Sequence, residues 1–310
     1  MNITFVVIGK NEGWRLEKCL CSISTVVEHD QVVDYEIIYV DSRSADDSVA
    51  LAKQYGADVY VIEGVCNAAI ARNIGAKEAK GDILFFIDGD MEIVSGFLPK
   101  VLDGDGKLEY PFLSGIFNDI VHDINWQYLH TSRRHKLKEG DADAIETTTG
   151  GLFLIEHSLW NQIGGMDTRF TRSQDYDLGL RLSKIGIPLR RKGILLANHY
   201  MRQYNVREDY VSNVKYTALL LRKHWNNIDY LKVFIAQQYT LLALLLSIII
   251  MIAGRLCGSL LYLFAIIYKN VKQHNSWQRC WLPVARDVVI LWAIFFFWPH
   301  QQELTYKAIK

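Results

Sequence analysis

The sequence has few cysteines, no excess charge of either sign and no glycine-rich phosphate loop, and each shortage excludes a class of protein. Its five cysteines, Cys19, Cys21, Cys66, Cys257 and Cys280, are an odd number in a chain of 310 residues. That count argues against a disulfide scaffold and for a reducing compartment. Cys19 and Cys21 stand too close together for a usual zinc pair and have no second pair downstream. Lys plus Arg and Asp plus Glu number 34 each, so no basic excess drives non-specific nucleic-acid binding. No GxGxxG follows the first apolar run, where Gly9 leads into Lys10-Asn11-Glu12, which weighs against a nucleotidyltransferase. No Ser, His and Asp set sits on a glycine-flanked elbow. The run Ile3 to Gly9 has strand length and no basic flank, so it reads as a strand and not as a leader.

What is present is a chain that is 50% hydrophobic and 22% charged, enough for one large domain plus an appendage. Short apolar runs at Ile3–Ile8, Tyr35–Val40, Val59–Ile62 and Asp82–Ile87 alternate with helical spacing at Trp14–Val27, 46–55 and Ala68–Ala79. Four strand–helix repeats within 100 residues predict an α/β domain with a parallel sheet and helices on both faces. Further strands are expected at Tyr110–Asn118 and Thr147–Ile155, and helices at His157–Ile163 and Asp177–Ile185. Ligands in such folds bind beyond the carboxyl ends of the strands.

The charge is unevenly placed. Residues 1–232 carry a net charge of minus five and residues 233–310 one of plus five, so the apolar tail is basic, as suits anionic lipid. Residues 234–268 are nearly uncharged, and Gly254-Arg255 divides them. As one helix they would exceed ~50 Å against a ~30 Å hydrocarbon core. Trp281–Trp298 is a second apolar segment with Trp at both ends. Lys269, Lys272 and Arg279 between the two, and Arg222, Lys223 and Lys232 before the first, predict a membrane-associated helical region over 231–310 after a catalytic domain over 1–230. The expected location is the cell membrane, with the catalytic domain cytoplasmic. The number of crossings and the oligomeric state stay open.

Asp88-Gly89-Asp90 directly follows an apolar strand. Two carboxylates at a rigid strand end are placed to hold a hard divalent cation that neutralises a diphosphate. Asp103-Gly104-Asp105 has the same letters without a strand before it and reads as a solvated turn. Asp41 ends the second strand, either to contact a nucleobase or ribose or to anchor the turn Ser42–Asp46. Arg72, with Asn73 beside it, serves either a phosphate or a surface ion pair. Asn11 and Glu12 follow the first strand, where a helix start favours acids. Gly150-Gly151 allows backbone to approach a ligand closely. Asp175 stands before a helix as a general base for an acceptor hydroxyl, and Asp177 is the competing helix cap. His199, Arg202 and Tyr204 belong to one wall, either in the core or facing phosphate.

The ordered set resembles the family-2 glycosyltransferases of the GT-A fold over about residues 1–230. It runs from Val6-Val7-Ile8 and Asn11-Glu12 through Asp41-Ser42, Ala71-Arg72-Asn73 and Phe86-Ile87-Asp88-Gly89-Asp90. It continues through Gly150-Gly151, Gly164-Gly165-Met166-Asp167 and Gln174-Asp175-Tyr176-Asp177 to Arg181-Leu182. The resemblance implies a nucleotide-sugar donor and Mg²⁺ or Mn²⁺. Asp41 would lie at the base, Asp88 and Asp90 at the ribose–diphosphate–metal assembly, with Asp90 as the direct ligand. Asp175 would be the base of an inverting transfer. Gln174 stands where the family often has Glu, and Arg43 interrupts the usual acidic turn, facing either phosphate or solvent. The Gln-x-x-Arg-Trp motif of processive members is matched poorly by Arg222-Lys223-His224-Trp225, so a single transfer is expected. The expected acceptor is a lipid or polyprenyl-phosphate-linked one. The alternatives are a soluble or protein acceptor with the tail as an anchor, and a non-catalytic membrane scaffold.

Overall fold

The computed structural model describes residues 2–203, 213–254, 258–273 and 280–309. Tyr204, Arg255, Cys257 and Arg279 lie outside them. In chain order the first elements are β1 (Asn2–Gly9), α1 (Trp14–His29), β2 (Asp34–Asp41), α2 (Ser48–Gln54), β3 (Asp58–Ile62), α3 (Ala68–Glu78) and β4 (Ile83–Asp88). Next come β5 (Met91–Ile93), α4 (Leu98–Val101), β6 (Phe112–His122), β7 (Tyr128–Arg133), β8 (Ala144–Glu146) and β9 (Phe153–Glu156). Then follow α5 (His157–Ile163), α6 (Gln174–Lys184), β10 (Leu189–Arg202), five further helices among the described residues and β11 (Tyr306–Ile309).

The chain divides into two units, one of Met1–Tyr204 with Gln301–Lys310 and one of Asn205–His300. The first is built on a mixed sheet of order β11-β3-β2-β1-β4-β9-β6-β10-β5. Its parallel core, β3-β2-β1-β4, is the set of strands expected from the repeats. β9 then pairs antiparallel with β4, and β6 runs parallel to β10. β1 is apolar almost throughout because both of its faces are covered. Phe5 and Val7 join Leu16, Leu20 and Ile23 of α1 in one buried layer, while Val6 and Ile8 join Ile70 and Ile74 of α3 in the other.

Several boundaries differ from the expectation. Thr147–Ile155 is a strand only from Phe153, because Gly150 and Gly151 take positive φ and break the extended backbone. The helix expected from Asp177 begins at Gln174, so Asp175 lies inside its first turn. Residues 125–141, polar in sequence, contain β7, which pairs only with the edge of β6 and is mostly exposed. Residues 301–310, expected in the helical region, return to the sheet. There β11 pairs antiparallel with β3, and the ring of Tyr306 meets that of Tyr60 at 5.8 Å. This pairing covers an edge that would otherwise expose unpaired backbone groups.

The second unit holds α7 (Tyr216–His224), α8 (Ile228–Gln237), α9 (Tyr239–Ile252), α10 (Gly258–Lys272) and α11 (Leu282–Phe296). Among the described residues no single helix is long and apolar enough to cross a membrane. α8 and α9 pass that test only as a pair bent by 78°. Leu246, Ile249, Ile252, Phe264, Val288, Trp292, Phe295 and Phe296 are nonetheless exposed. Arg286, Asp287 and Thr240 form a buried polar contact inside the unit.

Candidate active site

The carboxyl ends of β1, β2 and β4 open into one crevice. The loops after β1 and β2 are tied to each other. The Asn11 backbone N–H donates to Ser44 Oγ (2.9 Å), Ala45 N–H donates to Asn11 Oδ1 (2.7 Å), and Gly13 N–H donates to Asp46 Oδ2 (3.1 Å). Asn11 sits at φ 55, which Asn tolerates better than bulkier residues. Asp41 is buried at the end of β2. It accepts bonds from the Ser44 N–H (2.7 Å), the Ser44 hydroxyl (2.5 Å) and the Tyr39 hydroxyl (3.1 Å). These bonds make Asp41 an anchor of the turn after β2. Gly89 N–H bonds to the Ile8 carbonyl (2.8 Å), fixing the Asp88–Asp90 turn to β1.

Arg72 is not on the surface. It is 2% exposed and its Nη2 is paired with Asp88 Oδ1. Its Nε and Nη1 are buried without a hydrogen-bond partner among the described residues. Burial pushes the Asp88 carboxyl up to about 6, against the lowering effect of Arg72 and with help from Asp90. Burial, the Asp90 charge and partial relief by Arg15 bring Glu12 up to about 7.

Asp90 is ringed by cations. Arg15 Nη1 lies 3.5 Å from its Oδ2 and His199 Nε2 lies 3.3 Å from the same oxygen. Its Oδ1 is buried and has no hydrogen-bond partner among the described residues. His199 Nδ1 contacts Asp119 Oδ1 at 2.7 Å, and Arg134 Nε donates to Asp119 Oδ2 at 3.2 Å. Burial disfavours the imidazolium, but Asp119 and Asp90 outweigh it and raise His199 to about 9. A positive charge thus stands beside Asp90 at neutral pH.

Gly150 and Gly151 join Asp88 to Asp175. The Gly150 N–H donates to Asp175 Oδ2 (3.2 Å), and the Tyr176 N–H donates to Asp175 Oδ1 (2.9 Å). A Cβ on Gly151 would stand 2.1 Å from Asp88 Oδ2, and its φ is +95. Gly179 lets α6 approach the same loop, since a Cβ there would lie 1.9 Å from the Thr147 carbonyl oxygen. Below the loop, fully buried Arg191 donates to the Thr148 carbonyl (2.6 Å) and to Ser114 Oγ (3.0 Å), and pairs with Glu146 (2.5 Å). Gln174 Oε1 is buried without a partner, and Arg202 is exposed at the end of β10. Asp103-Gly104-Asp105 forms an exposed turn, with Asp103 Oδ1 accepting the Asp105 and Lys107 N–H groups (2.9 Å each).

Sequence reasoning missed Arg15, Trp14, Asp119, Trp126 and Arg191. Arg191 had a signal, a basic run Arg190-Arg191-Lys192 directly before the apolar stretch Ile194–Ala197. Arg15 had none beyond its place in the first turn of a helix.

Among the described residues no group of three or more His, Cys, Asp or Glu side chains is arranged to hold a metal ion. The orphaned buried Oδ1 of Asp90 nevertheless suits Mg²⁺ or Mn²⁺. Mg²⁺ is usually held by one or two carboxylates with substrate phosphates and water completing the shell.

Residues 4–159 match the profile of glycosyl transferase family 2. An uncharacterised glycosyltransferase of Haemophilus influenzae is 29% identical over 48% of this chain and 52% of its own length. A poly(ribitol-phosphate) beta-glucosyltransferase of Bacillus spizizenii is 34% identical over 29% of this chain and 15% of its own. The chain thus spans about half, or less, of these relatives. The crystal structure of GalNAc-T7 with UDP, GalNAc and Mn²⁺ superposes with a TM-score of 0.54 at 17% identity, over 71% of this chain and 48% of that one. That likeness shows the fold. With its parallel strand ends, its acidic turn after β4 and this match over half its length, the chain belongs to glycosyl transferase family 2.

Proposed function

We propose that this chain moves one sugar with inversion from a nucleotide sugar to an acceptor hydroxyl, with Asp175 as the general base. The observation that carries the reading is the Gly150-Gly151 bridge, which puts Asp175 and the Asp88–Asp90 turn on either side of one backbone step. Asp175 takes the acceptor proton. The acceptor oxygen then bonds to the anomeric carbon as the bond from that carbon to the phosphate oxygen breaks, and the nucleoside diphosphate leaves with the electron pair. Arg15 and the His199 imidazolium offset negative charge gathering beside Asp90. A divalent cation, held by Asp90, would stabilise the leaving diphosphate when bound. Asp88, paired to Arg72, positions the turn from which Asp90 projects. Asn11, Glu12 and Gly89 shape the nucleotide side, and Gln174, beside Asp175, contacts phosphate or acceptor.

The helical unit is best read as an anchor for an enzyme with a soluble or protein acceptor. A lipid-linked acceptor is the second reading, favoured by the exposed apolar side chains of α9, α10 and α11. The test is a panel of UDP-, GDP- and dTDP-sugars incubated with the full chain in membranes, with and without Mn²⁺. Sugar transferred to the lipid extract supports the second reading, and transfer to soluble acceptors alone supports the first. No transfer or donor hydrolysis under any condition overturns both.

A further inference from the structure

The chain beyond the helical unit does more than cover the edge of β3. Residues 297–300 alone separate α11 from the segment Gln301–Lys310, which belongs to the first unit. Within that segment Thr305 fixes the connection from β3 to α3, residues 63–67. The Glu63 N–H donates to the Thr305 carbonyl (2.9 Å), and Gly64 lies so close to Thr305 Oγ1 that a Cβ would not fit between them. Cys66 and Asn67 at the end of the connection, and Ala68 at the start of α3, line the same crevice of about 320 Å³ as Asp88 and Asp90.

A second hold runs through Thr168, which is buried. Its hydroxyl accepts the Gln302 N–H (2.8 Å) and stands within donating distance of Gln301 Oε1 (2.8 Å) and the Gln302 carbonyl (3.1 Å). The Thr168 carbonyl in turn accepts Asn67 Nδ2 (3.0 Å). The other end of that amide, Asn67 Oδ1, accepts the Ile70 N–H (2.8 Å) as the N-cap of α3. Further along α3, Asn73 Nδ2 donates to the Met166 carbonyl (2.7 Å) and Asn73 Oδ1 accepts the Met166 N–H (2.8 Å). The loop Met166–Thr168 is thus tied to α3 at two points, and Arg72, the partner of Asp88, stands between them.

A binding site keeps its geometry only where the groups behind it are themselves locked by packing and hydrogen bonds. We propose that Gln301–Ile309 is a positioning element of the nucleotide crevice, with Thr168 as the residue that passes its hold to Asn67 and α3. Thr168 acts through Asn67, not on the ligand. The inference rests on the donor reading above. It makes nucleotide affinity depend on chain that follows the helical unit.

The full chain is titrated calorimetrically with UDP, GDP and dTDP to find the diphosphate that binds, and amide hydrogen exchange is followed over residues 63–70. Thr168→Val keeps the shape, removes the hydroxyl and leaves the Gln302 N–H without its acceptor. It is expected to weaken diphosphate binding about fivefold or more and to speed exchange over 63–70, and Thr168→Ser should restore both. Gly186→Ala is the control for lost stability alone. Its φ is +83 with open space around it, so both readouts should stay at the wild-type level. Gln301→Ala, a change at an exposed residue, removes one Thr168 contact and should weaken binding about twofold. Wild-type affinity in a folded Thr168→Val protein, or an equal loss in Gly186→Ala, overturns the inference. Should Thr168→Val fail to fold, unchanged binding by Gln301→Ala overturns it. A wild type that binds no nucleoside diphosphate refutes the donor reading, while unchanged exchange over 63–70 in Thr168→Val still refutes the hold of this segment on the connection.

Discussion

Replacing Gly151 by Ala tests whether Asp88 must lie where it does. The new methyl group would stand 2.1 Å from Asp88 Oδ2 and 2.8 Å from its Cγ. Either the loop shifts away from Asp175 or the carboxylate turns and abandons buried Arg72. The positive φ alone costs about 1–3 kcal/mol. Breaking a buried ion pair from one side adds about 3 kcal/mol, the lower end of the usual range, because Asp88 keeps some access to water. Displacing reacting groups by ~1 Å lowers turnover about 100-fold. Gly164→Ala is the control. It imposes a similar backbone strain at φ +74, but a Cβ there meets nothing within 4 Å. Thermal unfolding and nucleoside diphosphate release, measured on both variants, separate strain from displacement. Both variants should lose stability, and only Gly151→Ala should lose about two orders of magnitude in turnover. Full turnover in a folded Gly151→Ala protein would refute the reasoning, as would parallel losses in the two variants.

Asp175→Asn should lower single-turnover transfer about 10²–10⁴-fold while leaving diphosphate affinity within about twofold, because the proton acceptor goes and the shape stays. Glu146 is held down to about 2 by the His135 contact first and by Arg191, against its burial. Its pairing therefore stabilises the fold fully above its ordinary value of 4.5, and that contribution fades as the pH falls from there toward 2. The melting-temperature gap between wild type and Glu146→Gln should be worth about 1–3 kcal/mol at neutral pH, shrink below about pH 4.5 and close only below about pH 2; a gap that widens in acid contradicts this. Asp105→Ala should leave transfer rates unchanged, since its turn lies apart from the crevice, and a loss with the fold intact would mean the wrong acidic pair was chosen.

The parallel core was legible because β1, β2 and β4 are apolar on both faces and their period is short, a pattern set by local chemistry. The placement of Asp88 and Asp90 at the end of β4 and of Asp175 at the start of a helix was legible because strand and helix ends are marked in the sequence. What stayed hidden is nonlocal. The pairing of buried Arg72 with Asp88 depends on how α3 lies against β4, and the turn role of Asp41 depends on where Ser44 points. The meeting of His199 with Asp119 and Asp90 requires the pairing of β10 with both β6 and β5. The return of β11 to β3 crosses more than 200 residues of chain, and four residues carry too little periodicity to announce it. The helical unit shows the opposite case. Its hydropathy was plain, and among the described residues α9, α10 and α11 run to 14 or 15 residues each.

The measurement closest to the central claim is calorimetric titration of the wild type and Asp90→Asn with the nucleoside diphosphate that binds, across a Mn²⁺ series. The account predicts that Mn²⁺ tightens binding to the wild type and that the asparagine variant loses this tightening while still melting cooperatively. Equal, Mn²⁺-indifferent binding by both proteins would contradict it.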